Sequence, residues 1–113
     1  MALAAYRLPS MSVEWLIPWH PIVNADEQRG LVSELRRELP QGHPLFGSDV
    51  SPIARRQDRD DVLFNLNDGR VAIVHLTWSG KAEPTAKFRL TTFFDSVDSF
   101  VEESMKPEHE RLG

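Results

Sequence analysis

The stretch from Asp60 to Trp78, DDVLFNLNDGRVAIVHLTW, constrains the fold of this chain more than any other. Apolar residues flank Asn67-Asp68-Gly69 on both sides. Asp-Gly between apolar runs is typical of a β-hairpin turn, because glycine adopts a positive φ without steric cost. The segment therefore predicts two antiparallel strands joined by a short loop.

Two loop lengths fit this turn, and they place different residues on each face of the sheet. A two-residue loop pairs Leu66 with Val71, whereas a three-residue loop pairs Leu66 with Arg70. We choose the three-residue loop because it separates apolar from polar side chains better. Its first face carries Val62, Phe64, Leu66, Ala72, Val74, Leu76 and Trp78. Its opposite face carries Asp61, Leu63, Asn65, Val71, Ile73, His75 and Thr77.

The segment before the hairpin predicts one helix and one strand. A helix is expected from about Ala25 to Leu39, with Asn24 as its N-cap and Pro40 as its stop. Its charged residues are interpreted as the solvent-facing side: Glu34, Arg36, Arg37 and Glu38. A strand is expected at residues 50–57, and it should lie at a sheet edge because Pro52 has no amide to donate.

The segment after the hairpin predicts a strand and a second helix. Residues 79–87 are polar and contain glycine and proline, so we expect a loop. Residues 88–94, FRLTTFF, favour the last strand. A helix from about Val97 to Met105 should follow and end at Pro107, leaving a frayed tail. Residues 11–23 predict an extended or single-turn segment that places Trp15 and Trp19 on the core.

These elements predict an α+β fold. We expect a two-layer sandwich in which an antiparallel meander of three to four strands carries the N-terminal and C-terminal helices on one face. The other sheet face should stay partly open. Residues 11–113 should form a single domain, with residues 1–10 as an extension outside it. Whether Met1 or Met11 is the true start remains open.

Composition narrows the classes of function. A net charge of −4 argues against nucleic-acid binding, which usually requires a basic face. The absence of cysteine excludes disulfides and thiolate metal sites, and it fits a cytoplasmic protein. No apolar run approaches the length of a membrane helix. We expect no cofactor.

One pair of residues has the chemistry of acid–base catalysis. Phosphate-binding, dinucleotide-binding and hydrolase motifs are absent, and the spacing of the four histidines predicts no metal site. In the chosen register Asp61 lies opposite His75, and a carboxylate beside an imidazole can orient it as a base. A structural cross-strand pair is the alternative interpretation. The wider set of candidate binding residues is Asn65, His75, Thr77, His43 and Arg59.

The central segment resembles a family of small, uncharacterised bacterial proteins. The family pattern is close to DDVLF-x-L-x-DGR-x-A-x-VHLTW-x-GK, and HPLFG at residues 43–47 resembles a second shared block. The resemblance covers nearly half of the chain and implies no activity, cofactor or catalytic residue. It does suggest that residues 1–10 lie outside the shared domain.

Two functions from different classes follow. The first is a non-catalytic cytosolic module, similar by analogy to immunity or accessory proteins, that binds a ligand or a protein partner. Its partner, or a second copy in a homodimer, would dock on the open sheet face. The second is a small hydrolase or isomerase that uses His75 and Asp61. We favour the non-catalytic module because the chain shows no nucleophile motif.

Overall fold

The computed structural model describes residues 13–56, 58–78 and 91–112. They form an antiparallel sheet whose strand order follows the chain, β1-β2-β3-β4-β5. The strands are β1 (Trp19–Pro21), β2 (Val50–Arg56), β3 (Asp61–Leu66), β4 (Val71–His75) and β5 (Thr91–Phe94). The helical segments are α1 (Ala25–Glu38), α2 (Val97–Phe100), a π-helical segment (Val101–Met105) and α3 (Lys106–Leu112). The α+β meander is therefore confirmed, with five strands in place of the expected three to four.

The hairpin of β3 and β4 has the three-residue loop. Phe64 pairs with Ala72 across the strands, and the amide of Leu66 donates to the carbonyl of Arg70 at 2.9 Å. Gly69 has a φ of +92°, the left-handed conformation that the turn requires. The predicted register is confirmed, and so is the placement of Asp61 opposite His75.

The N-terminal segment supplies the strand that the sequence did not predict. Trp19–Pro21 pairs with Ala54–Arg56, so β2 is not the edge strand along its whole length. Pro52 is tolerated because it lies before this pairing begins. The β2–β3 register also shifts between Pro52 and Ala54, which marks a β-bulge.

The two helices cover opposite faces of the sheet, which corrects the prediction that both pack on one face. One core cluster joins α1 to the first face of the hairpin: Leu31, Leu35, Leu39, Val62, Phe64, Leu66, Ala72, Val74 and Leu76. A second cluster joins the C-terminal helical segments to the other face: Trp19, Ala54, Leu63, Val71, Val97, Phe100 and Met105. The face predicted to be open is therefore covered, and the architecture has three layers.

The C-terminal helix also continues beyond its predicted end at Pro107. Within residues 97–112 the segment Val101–Met105 is π-helical, and the amide of Lys106 donates to the carbonyl of Val101. Pro107 then lies in the first turn of α3, where a missing amide is tolerated. The helix therefore continues through Pro107 to Leu112, and the frayed tail predicted after Pro107 is not observed among residues 108–112.

The prediction that Trp78 lies in the core is wrong, because this residue is 45% exposed. Its backbone has a φ of +60°. A positive φ redirects the chain after β4, so the alternation of faces no longer applies to Trp78. The expected loop at residues 79–87 and the first part of the last strand lie outside the described residues.

Gly69→Ala should destabilise the protein by about 1 kcal/mol or more, because alanine must take a positive φ. A Cβ at Gly69 would meet no atom within 4 Å, so backbone strain alone causes the loss. Gly30→Ala is the matched control, since Gly30 lies within α1 and its Cβ would also meet no atom. It should stabilise by about 0.5–1 kcal/mol. Urea unfolding measures both, and equal effects would contradict the turn geometry.

Phe64→Ala should destabilise by about 3–5 kcal/mol, because it leaves a cavity in the first core cluster. Phe64 is fully buried, whereas Phe46 is 49% exposed and provides a control with the same change in volume. Phe46→Ala should cost far less. Similar unfolding midpoints for the two variants would show that Phe64 does not occupy the core.

Candidate functional site

Asp61 and His75 form the hydrogen-bonded pair that the register predicts. His75 Nδ1 lies 2.8 Å from Asp61 Oδ1. A carboxylate can only accept, so Nδ1 carries a proton, and in the neutral ring Nε2 presents its lone pair. The Asp61 side chain is 12% exposed and that of His75 is 42% exposed, so an anchored carboxylate orients a half-exposed ring. This arrangement can accept a proton or fix a tautomer.

Arg56 extends this pair into a row of polar side chains across the sheet. Its guanidinium, 6% exposed, donates to both carboxylate oxygens of Asp58 and to Glu108 Oε2, each at 2.8 Å. Burial by itself lowers the pKa of Arg56, but the bonded Asp58 and the charges of Glu108 and Asp61 outweigh it and raise that pKa. Through Arg56 the network ties α3 to β2, and Glu108 also ties α3 to β1 because it accepts from the indole of Trp19.

Of the remaining candidate binding residues, Arg59 adjoins this pair. Its Nε forms an ion pair with Asp61 Oδ2 at 3.7 Å. Asn65 lies four residues along β3 from Asp61, roughly 13 Å away. Thr77 contacts Glu38 through its backbone amide.

His43 is a buried residue of the loop after α1. Its Nδ1 accepts from the amide of Leu45, so Nε2 carries the proton and donates to Thr91 Oγ1 at 2.9 Å. Burial lowers the pKa of His43. Thr91 pairs with Val74, whose side chain belongs to the α1 face. The sheet therefore separates His43 from His75, and these two candidate binding residues lie on opposite faces.

Glu38 holds the chain where it leaves β4. Its Oε1 accepts from the amide of Thr77 at 2.9 Å, and its Oε2 accepts from the amide of Trp78 at 2.7 Å. These two bonds help to offset the strain of the positive φ at Trp78. Glu34 and Glu38 are 2% and 4% exposed, so the prediction that they lie on the solvent-facing side of α1 is wrong.

The two glutamates form a buried carboxyl pair. Burial raises the pKa of Glu38, and the hydrogen bond with the Glu34 side chain raises it further. The amides of Thr77 and Trp78 and the Thr77 side chain lower it, but they do not cancel the increase. Arg37 Nη2 bonds Glu34 Oε1 at 2.9 Å, so the pair has one cation beside it. Glu38 consequently favours the protonated form more than an ordinary glutamate does.

A large groove crosses the outer edge of β2 near Val50, at the end of the strand away from Arg56. Its volume is about 1060 Å³, and it is bounded by α1, by the start of α2 and by the segment before β1. Apolar side chains dominate its lining, among them Trp15, Ile22, Val32, Val50, Ile53 and Val97. Asn65 also lines it, and this is where that predicted binding residue lies. The groove has the size and character of a small-molecule site.

The groove exists because β1 is short. β1 pairs with Ala54–Arg56 alone, so no described strand pairs with the outer side of Val50–Pro52. The chain then leaves through Ile22, whose amide donates to the carbonyl of Ile53, and through Val23, which is 87% exposed. The apolar groove therefore remains between the two helical layers.

Among the described residues that line the groove, the two charged side chains are both basic. Arg29 pairs with Asp26 on the exposed surface of α1. Arg36 forms no ion pair with any residue in the described ranges. The chain as a whole carries a net charge of −4, so this basic rim is a local feature of the groove.

Among the described residues, neither Asp61 nor His75 lines this groove or the smaller cavity described next. The groove ends at Asn65, and a smaller polar cavity of about 510 Å³ is lined by residues that include Arg55, Asp58 and Arg59. Within the described ranges no group of three histidines, aspartates or glutamates could hold a metal ion. No helix in the same ranges is both long enough and apolar enough to cross a membrane.

Comparisons with known proteins found no matching family model, curated protein or solved structure. The resemblance to the bacterial family therefore stays a prediction from the sequence. Functional inference depends on the geometry of this chain alone.

The sequence carried a signal for the glutamate pair but none for the groove. Glu34 and Glu38 occur at the same helical spacing as Leu31 and Leu35, the i, i+3, i+4, i+7 pattern of one buried face. The groove brings together α1, β2, α2 and the segment before β1, which are distant in the chain. No local pattern reports that convergence.

The glutamate pair should make stability depend on pH. Because the pKa of Glu38 is raised in the folded state, that state binds more protons than the unfolded one above the ordinary value of 4.5. The free energy of unfolding should therefore fall as the pH rises from 4.5 through the raised pKa. Glu34→Gln should flatten this dependence, because an amide donates to the Glu38 carboxylate. Urea unfolding across pH measures both proteins, and identical slopes would contradict the coupling.

Proposed function

We propose that this protein is a non-catalytic module that binds an apolar small molecule in the groove across the edge of β2. The observation that carries the proposal is the groove itself, with its volume of about 1060 Å³ and apolar lining. Sites for small molecules are concave and mainly apolar, with a few polar groups at fixed positions. Asn65, Ser33 and Gln28 supply such groups here.

The packing of the two core clusters favours the groove, rather than the sheet face, as the binding surface. Leu63 and Val71 are fully buried, so a partner cannot dock on the face that carries them. The groove residue Val23 is instead 87% exposed, and Val32 and Ile53 are partly buried. Covering these side chains would be favourable by about 25 cal/mol per Å² of apolar area. The absence of cysteine is consistent with a cytoplasmic setting, which we retain as part of the proposal.

The proposal is tested with 1-octanol, a neutral probe, by titration followed in amide NMR spectra. We expect shift changes to concentrate at Trp15, Val32 and Val50. Ser33→Trp should abolish them, because Ser33 is exposed on α1 and an indole there would fill the groove. Ser33→Ala is the matched control and should bind normally. Shift changes that avoid the groove, or that persist in Ser33→Trp, would refute this function.

The geometry of Asp61 and His75 favours a second candidate, a small hydrolase that uses this pair. The supporting observation is the 2.8 Å hydrogen bond, which orients a half-exposed imidazole. Among the described residues, the pair lines neither the groove nor the smaller polar cavity, and this is why the binding function ranks first. A hydrolytic triad also needs a serine or threonine that hydrogen-bonds the histidine. Within the described residues no serine or threonine makes such a bond to His75.

The second candidate predicts that His75 contributes to hydrolysis of p-nitrophenyl acetate, an activated ester that imidazole attacks. His75→Gln and Asp61→Asn should both reduce the rate by about tenfold or more, within the usual range for positioned acid–base groups. His20→Gln removes an exposed histidine of β1 and serves as the control. Equal rates in all three variants would leave the pair with a structural role.

A further inference from the structure

We propose that the ligand of the groove is an organic anion with an apolar body, held at its charged end by Arg36. This inference rests on the proposed function and specifies its ligand. It follows from the contrast between an apolar lining and a rim whose charged members within the described ranges, Arg29 and Arg36, are both basic. A carboxylate, sulfonate or phosphate on an apolar chain matches both properties.

Arg36 is the better placed of the two arginines to receive the anion. Arg29 already bonds the carboxylate of Asp26, whereas Arg36 has no ion-pair partner within the described ranges. A planar guanidinium can donate two parallel hydrogen bonds to a carboxylate. Arg36 also lies one helical turn from Val32 on α1, and both residues line the groove. The apolar wall and the cation are therefore adjacent along one helix.

The edge of β2 disfavours a peptide as the occupant. A strand added beside Val50–Pro52 would need regular backbone donors and acceptors, but Pro52 has no amide hydrogen. The β-bulge between Pro52 and Ala54 interrupts the ladder directly beyond it. Prolines and bulges at strand edges prevent the pairing of further strands. The groove therefore offers side-chain contacts to a small molecule more readily than backbone contacts to a peptide.

The experiment compares three probes with the same eight-carbon chain: octanoate, 1-octanol and octyltrimethylammonium. NMR titration gives the Kd of each at pH 7 in low salt. Octanoate should bind about threefold to tenfold more tightly than 1-octanol, which is the range for a partly exposed charged hydrogen bond. Octyltrimethylammonium should bind more weakly than 1-octanol.

Two variants test whether Arg36 causes the preference for octanoate. Arg36→Gln should remove the preference, so that octanoate binds no more tightly than 1-octanol. Arg111→Gln removes the same charge from an exposed site in α3 outside the groove and should keep the preference. Persistence of the preference in Arg36→Gln would overturn the assignment.

The remaining outcomes separate this inference from the proposed function. If 1-octanol binds in the groove but octyltrimethylammonium binds as tightly as octanoate, the anion preference fails and the binding function stands. If a short peptide of alternating valine and glutamate binds more tightly than octanoate, the occupant is a strand and the inference is wrong. If no probe shifts the groove residues, the proposed function fails as well.

Discussion

The burial of the central hairpin on both of its faces is the constraint on which the rest of this structure depends. Phe64 and Leu63 are neighbours in β3 and point to opposite sides of the sheet, and both are fully buried. A strand with two apolar faces needs a cover on each side. Helix α1 supplies one cover and the C-terminal helical segments supply the other. The three-layer architecture follows from this requirement.

The short strand β1 determines where the covers leave a gap. β1 reaches only as far as Pro21, opposite Ala54, and the chain then crosses to α1 through Ile22 and Val23. The first residues of β2 consequently line the groove between the helical layers. Arg56, Glu108 and Trp19 close the opposite end of the same strand with ion pairs and an indole hydrogen bond. One end of the sheet is therefore sealed by polar contacts, and the other offers an apolar site.

The sequence was sufficient where local chemistry decides the structure. Gly69 fixed the hairpin loop, and the loop fixed Asp61 opposite His75. Asn24 capped α1 as predicted, with its side chain accepting from the amide of Glu27. In each case the interacting residues are a few positions apart in the chain or directly opposite each other on neighbouring strands. The predicted part of the candidate site, Asp61 with His75, belongs to this class.

The sequence was insufficient where distant segments compete for a surface. Asp61, Asn65 and His75 made the second sheet face look polar, although Leu63 and Val71 between them require burial. Two of those polar residues satisfy each other, so the face could still accept a helix. Pro107 predicted a helix end, but the helix continues through it from the π-helical segment to Leu112. The groove depends on four segments, and its existence follows only from how they pack.

The most direct test of this account is the position of the C-terminal helix. Phe100 and Trp19 have ring centroids 5.1 Å apart in an edge-to-face arrangement, on the side of the sheet opposite α1. An NMR spectrum of the protein should therefore show nuclear Overhauser effects between the Phe100 ring and the Trp19 indole. It should show none between Phe100 and the methyl groups of Leu31 or Leu35, which lie in the α1 cluster. Contacts of Phe100 with those leucines would place both helices on one face and contradict the three-layer architecture.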